Sequence, residues 1–155
     1  MIRFQKHALV ARSLALLLSV SSAAIWLPPL GDSLQVSKHY DLTHGPYAAG
    51  HRGIDLPTAE TQRVFAPVAG VVTFSGTVVD RPLLSIRVDS ETLLSLEPVL
   101  SELKPGDPVA RGQPLGTVAT GGHCASECLH LGVRVNERYV NPLRFFRGRP
   151  VLVPW

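Results

Sequence analysis

From Val64 onward, apolar and polar positions alternate in short runs that glycine or proline interrupts every few residues. Residues 64–67, 70–79, 83–88, 92–96, 114–118 and 129–135 are rich in valine, leucine, isoleucine and threonine. Each reads as a strand whose successive side chains face opposite ways. Leu103-Lys104-Pro105-Gly106-Asp107 predicts a turn, and Asn136-Glu137-Arg138 a second one leading into Tyr139-Val140. Residues 28–50 form an irregular lead-in with an edge strand expected around 34–36. After residue 24 no stretch shows the 3.6-residue period of an amphipathic helix. The pattern predicts a compact all-β domain of many short antiparallel strands.

Composition sharpens this picture. The chain has 155 residues, enough for one domain, with 45% apolar residues, 13 glycines and 13 prolines. That content suits a packed core with many turns and argues against a helical bundle. The net charge is +3, from 15 basic and 12 acidic residues. Arg3, Lys6 and Arg12 all precede the first acidic residue, Asp32. Outside that stretch the remaining 12 basic residues balance the 12 acidic ones, so the charge does not point to a nucleic-acid partner.

The basic start, the apolar core Leu14-Ala15-Leu16-Leu17-Leu18 and the small residues Ser21-Ser22-Ala23-Ala24 have the order of a secretory signal. The expected organisation is a signal peptide at 1–24, a lead-in at 25–46, a β domain at 47–143 and a basic tail at 144–155 carrying Arg144, Arg147 and Arg149. Cleavage would leave a secreted, extracytoplasmic protein with no stable membrane association. Without cleavage, the same segment would be a membrane anchor. Cys124 and Cys128 follow in the exported part. An oxidising compartment favours a disulfide between them, closing a small loop, over a pair of thiolate metal ligands.

Candidate chemistry gathers at three positions. His51 and Asp55 lie four apart around Gly53, and both offer good zinc donor atoms. On its own this spacing more often describes a surface turn. His130 falls in mid-strand within an apolar run, either as a satisfied core histidine or as a ligand. Three protein ligands with one open position is the arrangement of catalytic zinc.

Four blocks occur in order: 50–56 (GHRGIDL), 66–72 (APVAGVV), 104–116 (KPGDPVARGQPLG) and 129–134 (LHLGVR). Together, over about 47–143, they resemble the lysostaphin/LytM-type zinc metallopeptidases that cut peptide cross-links in bacterial cell walls. His123-Cys124 and Cys128-Leu129-His130 resemble secreted actinobacterial members. The resemblance implies a barrel-sandwich hybrid of short strands, Zn2+ held by His51, Asp55 and His130, metal-assisted hydrolysis of peptidoglycan peptides, and a monomer.

Two departures stand out. Cys128 occupies the place of the first histidine of the family's H-x-H, and Ser95-Leu96-Glu97-Pro98-Val99 lacks the histidine of its Tyr-x-His-Leu segment. Glu97 is the candidate replacement base, or else a turn residue before Pro98. His123 is the candidate second helper if a Cys124–Cys128 loop folds it toward the metal, or else part of a loose glycine loop. Two functions follow: an active endopeptidase, or a catalytically impaired relative serving as a wall-binding or regulatory module. A resemblance to biotinyl and lipoyl carrier domains fails, because Lys6, Lys38 and Lys104 are the only lysines and none sits at a carrier's attachment hairpin.

Overall fold

The computed structural model describes residues 25–31, 33–42 and 50–147. The signal-like segment 1–24, His44 and the chain from 148, including Arg149 and Trp155, lie outside the described residues. Ten strands run through the described chain. They are β1 (Gly53–Pro57), β2 (Arg63–Phe65), β3 (Gly70–Val78), β4 (Arg81–Arg87), β5 (Thr92–Glu97), β6 (Val99–Leu100), β7 (Pro108–Val109), β8 (Pro114–Val118), β9 (Cys128–Val135) and β10 (Arg138–Val140). A single 3-10 turn spans Gly122–Cys124, and a four-residue helix, α1 (Leu143–Phe146), follows β10.

The main sheet has the order β1-β9-β5-β4-β3-β7, with β10 also paired to β9, and a small sheet has the order β2-β8-β6. All pairings are antiparallel. The all-β expectation holds, and the β-branched runs of β3, β4, β5, β8 and β9 form the strands their patterns predict. The edge pairing of the lead-in falls later than expected. Residues 34–36 form no strand, and isolated bridges join Lys38 to Asp55 and Asp41 to His51 instead.

Alternation along the central strands separates core from site. Ile54 and Leu56 of β1, Leu129, Leu131 and Val133 of β9, Leu94 and Leu96 of β5, and Leu84 and Ile86 of β4 are almost wholly buried. They meet Val64, Val99, Leu115 and Val118 of the small sheet in one cluster. Their neighbours in sequence, Asp55, His130 and Glu97, therefore face the other way.

Both ends of the described chain close the same core. Trp26 is buried, stacks on Phe145 at 4.4 Å between ring centroids and meets Phe146 edge-on. Its amide donates to the Phe145 carbonyl at 2.9 Å. Packing thus continues through α1 into the segment expected to be a tail. Among the described residues no helix is long and apolar enough to cross a membrane.

Candidate metal centre

Register places three polar side chains in one row. Asp55 of β1 pairs with His130 of β9, and His130 pairs on its other side with Glu97 of β5. Directly opposed residues share a face, so a carboxylate, an imidazole and a second carboxylate line up across three adjacent strands. A one-residue slip would replace the row with Ile54 or Leu56, Leu129 or Leu131, and Leu96.

His51 joins this row from just before β1. The lead-in holds it in place: Asp41 and His51 exchange backbone hydrogen bonds of 2.9 and 2.7 Å, and the Asp55 amide donates to the Lys38 carbonyl. Between them, the His39 carbonyl accepts a 2.8 Å hydrogen bond from His51 Nδ1. That bond turns Nε2 of His51 toward Asp55 Oδ1, 2.9 Å away. His130 Nδ1 approaches the same oxygen at 2.7 Å.

The fourth member comes from the loop before β9. Cys124 and Cys128 form the expected disulfide, with Cα atoms 4.9 Å apart. The loop folds back on itself, since the Ala125 amide donates to the Gly121 carbonyl and the Glu127 amide to that of Cys124. It is tied to the end of β1 by the Thr58 amide, which donates to the Glu127 carbonyl. His123 is thereby brought over Asp55, with Nε2 at 3.1 Å from both carboxylate oxygens. His51, Asp55, His123 and His130 each offer one ligand atom, all within 4.8 Å of one another. The side chains of His51, Asp55 and His130 are 9%, 4% and 12% exposed, whereas that of His123 is 45% exposed.

Electrostatics favours a cation at this point. With Nδ1–H donated to His39, a neutral His51 ring presents the Nε2 lone pair to a carboxylate lone pair. Such a pair repels unless a proton or metal ion lies between. Burial pushes the Asp55 carboxyl up, but the hydrogen bonds from His130 and His123, together with the attraction of His51 and His130 when those rings are protonated, prevail and lower it to about 2. An ionised carboxylate ringed by imidazole nitrogens is a donor set that fits zinc.

Space for the His130 ring depends on Gly53, which pairs with Gly132 in the next row. A Cβ at Gly53 would lie 2.6 Å from His130 Nε2 and 2.4 Å from the Leu131 carbonyl oxygen. Glu97, the candidate replacement base, pairs with His130 in register but is engaged elsewhere, its Oε2 lying 3.0 Å from Arg81 Nε. Arg81 also packs on the loop that carries His123, where a Cβ at Gly122 would come within 2.4 Å of Arg81 Cδ. Sequence reasoning missed the His39 carbonyl and Arg81. The first is a backbone group that no residue type signals. The second begins a strand like many surface arginines. The guanidinium of Arg52 lies over the Tyr139 ring, 6.0 Å from its centroid.

An all-β fold with a His/Asp/His cluster on one sheet face defines a class, and residues 49–142 match peptidase family M23. The chain belongs to that family, a family of metallopeptidases that are typically zinc-dependent. It is 31% identical over 129 residues to an uncharacterized protein of Mycobacterium tuberculosis, covering 79% of this chain and 52% of the relative. The chain thus spans about half the length of the curated relatives it matches there. Among solved structures, Helicobacter pylori Csd3 superposes with a TM-score of 0.69 at 22% identity, over 84% of this chain and 37% of that one. Lysostaphin superposes with a TM-score of 0.65 at 18% identity, over 80% and 54%. These likenesses establish the lysostaphin-like fold.

Proposed function

We propose that this protein is a zinc endopeptidase acting on the peptides of peptidoglycan outside the cytoplasm, as a monomer. His51, Asp55 and His130 hold the metal and His123 handles the proton. The observation that carries this reading is the unequal exposure of the three imidazoles converging on Asp55. His51 is buried and His130 only slightly exposed, as ligands should be, and the third opens to solvent where a substrate would arrive.

Zinc, when bound, supplies Lewis acidity, making water a nucleophile near neutral pH and polarising the scissile carbonyl. The exposed imidazole of His123 takes the proton of the attacking water and delivers it to the departing amine nitrogen. Asp55 stays ionised and keeps the imidazoles oriented. The His39 carbonyl fixes the His51 tautomer, the usual part of an outer partner. Glu97, paired with Arg81, orders the edge of the site, which leaves proton transfer to His123.

The test is incubation of zinc-loaded protein with purified sacculi, reading new amino groups. His123→Ala should lower the rate by about 10²–10⁴-fold while leaving zinc bound. His130→Ala should lose both metal and activity. Stable zinc binding with no new amino groups from any sacculus would sink the endopeptidase reading. The second reading, a wall-binding or regulatory module, is favoured by Cys128 and Glu97 standing where the family has auxiliary histidines. It expects binding to sacculi without cleavage.

A further inference from the structure

The disulfide next to the metal centre contains a second set of ligands. Asp55, His123, Cys124 and Cys128 each offer a ligand atom, all within 4.8 Å of one another. Cys124 Sγ lies 3.7 Å from His123 Nε2, the same nitrogen that touches Asp55. The backbone bonds of the loop, from Ala125 to Gly121, Glu127 to Cys124 and Thr58 to Glu127, do not involve sulfur. Cys128 is also fixed as the first residue of β9, opposite Pro57. Opening the S–S bond therefore leaves both sulfurs beside Asp55 and His123.

We propose that reduction of Cys124–Cys128 creates a second, sulfur-rich metal site from Cys124, Cys128, His123 and Asp55. This site competes with the His51/Asp55/His130 site for one ion. A dithiol supplies two electrons and its own two protons, whereas a phosphine supplies two electrons and one water supplies two protons and the oxygen of the oxide, so in either case the S–S bond becomes two S–H groups. The reductant leaves as its disulfide or phosphine oxide. Metal binding then releases the two thiol protons to solvent. Thiolate with imidazole is a favoured zinc donor set, and four protein ligands leave no position for water. Asp55 belongs to both sets, so filling one empties the other. Reduction moves the ion from an open arrangement to a closed one. The loss of activity this entails rests on the proposed function; the thiolate site itself does not.

Cobalt(II) is the probe, because thiolate ligands give it an intense near-ultraviolet charge-transfer band that imidazole and carboxylate do not. Full-length protein is titrated with cobalt oxidised, and again after phosphine reduction and anaerobic removal of the phosphine. The band is expected in the reduced protein alone, saturating at one equivalent. It should be absent from reduced Cys124→Ser/Cys128→Ser. Reduced His123→Ala, altered at a half-exposed side chain, should bind cobalt about 10-fold more weakly or worse. No band on reduction, full affinity in His123→Ala, or two equivalents bound at once would each overturn the proposal. Failure of oxidised protein to bind cobalt counts against the endopeptidase reading instead, because the thiolate band is read in the reduced sample.

Discussion

Asp55 and His130 face each other across adjacent antiparallel strands, and Nδ1 of the histidine lies 2.7 Å from Oδ1 of the aspartate. Both belong to a face whose alternate residues build the core on the other side. Removing either should abolish tight zinc binding. Asp55→Ala and His130→Ala should each weaken it beyond the roughly 10–100-fold typical of losing an outer partner, measured by competition with a chelator.

Gly53 is needed for space, since an added methyl would press on the His130 ring and the Leu131 carbonyl. Gly53→Ala should lower zinc affinity about 10-fold or more although no ligand is changed. Affinity within twofold of the parent would show that the ring moves aside freely.

Trp26 lies outside the strands yet is 6% exposed and stacked on Phe145. Trp26→Ala should cost about 3–5 kcal/mol in denaturant unfolding. A loss below 1 kcal/mol would mean that the Trp26–α1 contact is separable from the core.

Val79 sits at the β3–β4 turn with φ of 60° and is 92% exposed. A β-branched residue is strained there, and glycine is favoured at the first position of such a two-residue hairpin. Val79→Gly should stabilise the protein by about 1 kcal/mol, read as a higher denaturation midpoint.

Asp89 closes the β4–β5 turn by accepting hydrogen bonds from the amides of Glu91 and Thr92 at 2.8 and 2.7 Å. Burial pushes its carboxyl up, but these backbone hydrogen bonds prevail and hold it below the ordinary 3.8. A depressed carboxylate stabilises the fold above its unfolded value and loses that contribution as pH falls through the folded value. Asp89→Ala should cost about 1 kcal/mol at neutral pH, and its difference from the parent should shrink as pH drops below about 4. A pH-independent difference would contradict this.

Much of the fold was legible because β-branched runs between glycines and prolines leave little alternative to short strands. His130 stood out as a polar residue in mid-strand. His51 and Asp55 were legible as a pair, but β1 was not. Ile54-Asp55-Leu56 is too short an alternation to register beside the glycines at 50 and 53. His123 had one signal, the cysteines that bracket the loop, and its arrival over Asp55 needed the fold. Trp26 could not be separated from the apolar run before it, since hydrophobicity without period says nothing about where a side chain packs. The Arg81–Glu97 pair joins strands whose adjacency the sequence pattern did not specify.

The in-register row Asp55–His130–Glu97 has a bearing on how the protein is handled. Its first two members can act together only when β1 and β9 have paired without slippage. If zinc sits there as proposed, its uptake by the oxidised protein reports strand alignment, and zinc stoichiometry would measure the fraction of molecules in which β1 and β9 are in register.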